Sequence, residues 1–128
     1  MKQPPRDCGN KTLGEYGEEI AVSYLKKKKY TVVDRNYRSK CGELDIVAKE
    51  ANTLVFVEVK TRRNALYGLP QLSVTHFKQR QISKAALLYL AAKRVGEVNA
   101  RFDVIAIFLQ DNETPRIEHI RNAFELSY

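Results

Sequence analysis

Two apolar runs, Leu44-Asp45-Ile46-Val47 and Leu54-Val55-Phe56-Val57, flank a polar break at Glu50-Ala51-Asn52-Thr53. Val, Ile and Phe at this density favour extended chain and the break favours a turn, so residues 42 to 62 are predicted to form a β-hairpin. Upstream, Leu13, Tyr16, Gly17, Ile20, Ala21 and Tyr24 share one arc of a helical wheel, with Thr12 as N-cap and Glu15 at the capping-box spacing. Lys26 to Lys29 close that helix, where positive charge meets the negative end of the dipole. Tyr30 to Arg38 reads as the first strand. Val74 to Arg94 predicts a second helix whose buried stripe is Ile82, Ala85, Ala86, Tyr89 and Leu90, ended by Gly96.

Phe102 to Leu109 is apolar on both faces, the pattern of a central strand. Asp103 within it needs a partner, and Arg101 or another basic side chain is the expected one. A turn over 111–115 leads to a short edge strand, Arg116 to Ile120. Helix, three strands, helix and two strands predict an α/β sandwich with a mixed central sheet flanked by helices. Residues 1–10, with Pro4, Pro5 and Gly9, are expected to form a mobile arm and residues 11–128 a single domain. Residues 65–73 read as a loop able to rim a substrate.

Charge sharpens this picture. Twenty-two Lys and Arg against fifteen Asp and Glu leave a net charge of +7, which favours a polyanionic partner, nucleic acid above all, over a merely solubilising excess. Acidic lipid fits less well, because no stretch approaches the ~18 apolar residues needed to span a bilayer. No membrane association is therefore expected. Cys8 and Cys41 lie far apart without metal-ligand spacing, so zinc is not indicated and a reduced, cytoplasmic setting is expected.

The candidate chemistry lies in the hairpin. A loop centred between Ala51 and Asn52 sets Asp45 opposite Glu58 and Glu43 opposite Lys60, and alternation places Glu43, Asp45, Phe56, Glu58 and Lys60 on one face. Carboxylates directly across a ladder repel. A hard cation would offset the repulsion, since Mg²⁺ takes oxygen ligands with water and phosphate completing its shell. Lys60 on the same face would then serve a water or steady charge developing on a phosphate. In the competing reading Lys60 only neutralises Glu43 and Glu58 in a salt-bridged surface hairpin. Glu18, at the border of the first helix's apolar arc, is placed to lean toward the same sheet edge. Arg35 and Arg38 around Asn36-Tyr37 suit phosphate contact and base stacking. Against that, Arg35 has Asp34 or another carboxylate as an ion-pair partner and Tyr37 suits the core. Arg62 and Lys78 are further phosphate candidates, each with a solvated-surface alternative.

Asp45 followed by Glu58-Val59-Lys60 resembles the PD-D/E-x-K signature of restriction-endonuclease-like nucleases, with Leu44 standing where that signature has proline. Gly14-x-x-Gly17-Glu18, Arg35-Asn36-Tyr37-Arg38, Gly42-Glu43-Leu44-Asp45, Phe56-Val57-Glu58-Val59-Lys60-Thr61-Arg62 and Arg101-Phe102-Asp103-Val104-Ile105 together resemble the YraN-like family of small bacterial proteins. That family's fold is similar to archaeal Holliday junction resolvases. The resemblance implies a restriction-endonuclease-like sandwich and a predicted nuclease acting on structured or branched DNA. It also implies Mg²⁺ or Mn²⁺ held by Asp45, Glu58 and the Val59 carbonyl, Lys60 as the catalytic amine and Glu18 as an accessory acid. Arg35, Arg38, Arg62 and Lys78 would bind nucleic acid, and a symmetric junction would call for a homodimer. The alternative is a non-catalytic nucleic-acid-binding accessory protein retaining the fold.

Overall fold

A computed structural model of the chain describes residues 12–63, 74–110 and 113–127. The expected N-terminal arm, the rim loop and the start of the 111–115 turn lie outside the described residues. Seven elements follow in order: α1 (Leu13–Lys27), β1 (Thr31–Ser39), β2 (Gly42–Glu50), β3 (Thr53–Arg62), α2 (His76–Ala92), β4 (Asn99–Phe108) and β5 (Arg116–Phe124). The strands form one sheet in the order β1-β2-β3-β4-β5. Neighbours are antiparallel except β3 and β4, which run parallel from Thr53↔Asn99 to Arg62↔Phe108. A parallel pair needs a crossover, and α2 lies within it. The sheet is therefore mixed, in an α/β arrangement.

Each helix covers one face. Ile20, Ala21, Val22 and Leu25 of α1 pack on Ile46, Ala48, Val55, Val57, Ile105 and Ile107. Ile82, Ala85, Ala86 and Tyr89 of α2 pack on Leu44, Val47, Leu54, Phe56, Phe102 and Val104. β3 and β4 contribute to both clusters, which is why their sequences are apolar without alternation.

Local signals explain the boundaries. Thr12 caps α1 by accepting the Glu15 amide at 3.1 Å, and Thr75 caps α2 by accepting the Lys78 amide at 3.2 Å. α1 ends with Lys29 at φ 69, while the Tyr30 amide returns to the Leu25 carbonyl at 2.9 Å. A lysine thus takes the left-handed position that usually falls to glycine. In α2 the corresponding residue is Arg94, at φ 53, so Gly96 stands beyond the stop it was expected to make. β5 is longer than expected and reaches Phe124, whose ring stacks on Phe102 at 4.9 Å between centroids.

Asp103 is fully buried in β4. Arg101 Nε donates to its Oδ1 at 2.9 Å, as expected, and the Asn122 amide donates to the same oxygen at 3.0 Å. His119 Nε2 lies 2.7 Å from Oδ2, and its Nδ1 is 3.1 Å from the Tyr24 hydroxyl. These bonds hold the Asp103 carboxyl below its ordinary range against the opposing effect of burial. The cluster ties α1, β4 and β5 together.

Candidate metal centre and its basic rim

The hairpin has the expected register from Glu50↔Thr53 to Ile46↔Val57, where the ladder stops. Past that point the Val59 amide donates to Asp45 Oδ2 at 2.9 Å, so a carboxylate occupies the place of the next backbone partner. A strand residue's N–H and C=O point to the same side, which turns the Val59 carbonyl toward the Asp45 side as well.

Alternation slips here. Leu44 and Val47 belong to the α2-side cluster, whereas Ile46 and Ala48 belong to the α1-side cluster. Side chains three apart cannot share a face in an unbroken strand, so β2 shifts by one position around Asp45 and Ile46. The slip corrects the expected grouping. Phe56, Glu58 and Lys60 do share a face, but Glu43 joins Glu18 instead of lying opposite Lys60. The Asn36 side-chain amide joins these two acids: with its nitrogen turned toward them, as two acceptors require, it donates to Glu18 Oε1 at 2.9 Å and to Glu43 Oε1 at 3.1 Å. Arg38 Nε lies 3.7 Å from Glu43 Oε2.

Asp45 and Glu58 remain side by side. Burial, then the neighbouring Glu58 carboxylate, push the Asp45 carboxyl up to about 8, with the Val59 hydrogen bond opposing them and Glu18 adding to the rise. Glu18 is also raised, by burial first and then by Glu43. Glu58 is 5 % exposed, and its Oε2 receives Lys60 Nζ at 3.4 Å and Lys78 Nζ at 3.7 Å. Perturbed carboxyls gathered at one place are a signature of working sites.

Of the residues expected at the site, Asp45, Glu58, Lys60 and Lys78 converge, with Glu18 within electrostatic reach of Asp45 and Glu58. Arg35 and Arg38 line an adjoining cleft of about 590 Å³ together with Glu15, Glu18, Asn36 and Glu43. Arg62 ends β3, its Nη1 donating to the Thr61 carbonyl at 3.3 Å. Tyr37 packs edge-on against Tyr89 at 5.0 Å in the α2-side core, the core role weighed for it instead of base stacking. Asp34 pairs with Tyr89 Oη and Lys93, while Arg35 acts on another carboxylate, Glu18.

Asn36 was not expected at the site, and Glu43, expected opposite Lys60, meets Asn36 and Glu18 instead. The available signal for Asn36 was its residue type, since asparagine tolerates the left-handed backbone it adopts at φ 52.

Among the described residues no group of three or more His, Cys, Asp or Glu side chains is assembled to hold a metal ion. The donor chemistry of Asp45 and Glu58 nevertheless fits a hard divalent cation: paired carboxylate oxygens, partly shielded, whose repulsion a positive charge would relieve.

An α/β sheet with an acidic pair at the open end of a central hairpin and amines against it defines the general class, and comparison with other proteins places it within a family. The model of the uncharacterised protein family UPF0102 matches residues 17–107. A UPF0102 protein of Geotalea uraniireducens is 63% identical over 119 residues, covering 93% of this chain and 94% of its own. One from Geotalea daltonii is 60% identical over 119 residues, with the same two coverages. Another, from Trichlorobacter lovleyi, is 55% identical over 121 residues, covering 94% of this chain and 95% of its own. The chain belongs to the UPF0102 family, in agreement with the YraN-like resemblance of its motifs. No described helix is long and apolar enough to cross a membrane.

Proposed function

We propose that this protein is a metal-dependent nuclease with a restriction-endonuclease-like fold that hydrolyses phosphodiester bonds, with structured or branched DNA as its substrate. The observation that carries this reading is the contact of Asp45 with Glu58 at the open end of the hairpin, with Lys60 at 3.4 Å from Glu58. Such a pair is costly when both carboxyls are ionised, and a bound cation offsets that cost.

Asp45, Glu58 and the Val59 carbonyl would hold Mg²⁺ or Mn²⁺, and Glu18 would complete the acidic shell. When bound, the cation polarises a phosphoryl oxygen and eases ionisation of a water. The chain's own contribution is positional and electrostatic. Lys60, set on β3 and mostly shielded, orients the attacking water and stabilises negative charge gathering on the phosphate. Arg35, Arg38 and Arg62 bind flanking phosphates, and the excess positive charge draws nucleic acid toward them. Asn36 fixes the angle of Glu18 and Glu43 beside the centre. Two-fold symmetric junctions would engage a homodimer.

The test is a cleavage panel of junction, flap, duplex and RNA substrates with Mg²⁺ or Mn²⁺, with Asp45→Ala as the control. Metal-dependent cutting that vanishes in the variant supports the reading. No cutting of any substrate, with Glu58→Ala indistinguishable from the parent protein, transfers the case to a nucleic-acid-binding accessory protein. That second reading draws on one observation: two lysines already neutralise Glu58 without a metal.

A further inference from the structure

Both ammonium groups at the centre fall on one atom, Glu58 Oε2. Glu58 is thus neutralised by ammonium groups before any metal arrives. Two ammonium groups together with a divalent cation would outweigh the two carboxylates, so metal entry must weaken the hold of one lysine.

The two lysines differ in their freedom to withdraw. Lys60 is 22% exposed and set within β3, whereas Lys78 is 39% exposed and is the third residue of α2. The backbone of Lys78 is fixed by the hydrogen bond its N–H donates to the Thr75 hydroxyl. Only its side chain needs to turn, and a long unbranched stem with one end in water does so readily.

This inference rests on reading the acidic pair as a divalent-cation centre. We propose that Lys78 is a latch that stands in for the metal: it neutralises Glu58 in the metal-free protein and swings onto a substrate phosphate when the cation takes its place. Coupling of this kind is reciprocal. A phosphate that captures Lys78 frees Glu58 for the metal, and a metal that displaces Lys78 delivers a cation to the phosphate. The protein thus assembles its charged centre fully only when metal and nucleic acid are both present.

The experiment measures Mn²⁺ affinity by calorimetry for the full chain, Lys78→Met and Asp45→Ala, each with and without a short duplex carrying phosphorothioate linkages that resist cleavage. Methionine keeps the stem and the helix propensity, and circular dichroism verifies folding. Without DNA, Lys78→Met should bind Mn²⁺ on the order of tenfold tighter than the parent, because one opposing charge is gone. Added DNA should tighten Mn²⁺ binding in the parent and leave Lys78→Met unaffected. Equal or weaker Mn²⁺ binding by Lys78→Met, with binding still abolished in Asp45→Ala, overturns the latch and leaves the metal centre standing. Absence of Mn²⁺ binding in the parent, or equal binding in Asp45→Ala, removes the centre and the latch together.

Discussion

Gly17 and Thr61 meet where α1 crosses β3, so closely that a Cβ at position 17 would overlap the Thr61 hydroxyl and lie 2.9 Å from the Thr61 Cβ. The contact lets α1 approach the sheet and brings Glu18, the next residue, toward Asp45 and Glu58. Gly17→Ala should destabilise the protein by about 1–3 kcal/mol through overpacking. Adding Thr61→Ala removes the overlapping atom and should recover part of the loss. Thermal melts of the two single variants and the double variant measure the coupling, and simple additivity would dissociate the two positions.

Asn36 combines a left-handed backbone with an amide shared between Glu18 and Glu43. Gly and Ala replacements separate those roles. Asn36→Gly keeps the backbone at ease and should leave the melting temperature nearly unchanged while weakening Mn²⁺ binding. Asn36→Ala adds about 1 kcal/mol of strain to the same loss of affinity. Unaltered Mn²⁺ binding in both variants would show that the bridge does not support the centre.

Asp45 gives a pH dependence of defined sign. Its carboxyl is raised from 3.8 to about 8 in the folded protein, so the folded state favours the protonated form. The associated stability is present below the unfolded value and is lost as pH rises through about 8. Asp45→Asn should therefore exceed the metal-free parent in stability by a margin that grows across that interval and then levels. At pH 7, Mn²⁺ should stabilise the parent and release close to one proton, seen as a dependence of calorimetric heat on buffer ionisation, and should do neither in Asp45→Asn.

Asp103 has the opposite sign. Its folded value is depressed, so its contribution is present above the unfolded value of 3.8 and is lost as pH falls through the lower folded one. Asp103→Asn removes the buried charge that Arg101 faces, leaving Glu50 at 3.0 Å as its remaining carboxylate, and should cost about 3 kcal/mol near neutrality. Urea denaturation at descending pH should show that difference shrinking below pH ~4. A constant gap would mean that packing, and not charge, sets the effect.

Hydrophobic period fixed the elements, because two-faced burial of β3 and β4 and the helical arcs of α1 and α2 are written directly into residue order. Hairpin register was equally readable, since Ala51-Asn52 is the only break between two apolar runs. The expected Arg101–Asp103 pair followed from the cost of an aspartate in an apolar strand. The slip at Asp45 was not readable: Leu44 and Ile46 suit either face, and only packing against α1 and α2 decides between them. Glu43 was therefore assigned to the wrong neighbours. His119 likewise carried no sign of its role, because its partner Asp103 is brought to it by strand pairing and not by sequence spacing.

The β2–β3 ladder is shut at its turn and open beyond Ile46 and Val57. Loop closure favours the pairs nearest the turn, so a hairpin zipping from Glu50 and Thr53 brings Asp45 to Glu58 last. Their repulsion is then missing from the folding barrier and acts on escape from the native state. Asp45→Asn should slow unfolding and leave refolding unchanged, visible as displacement of only one arm of the chevron. The hairpin can complete its ladder before it meets the discomfort of its own acidic centre.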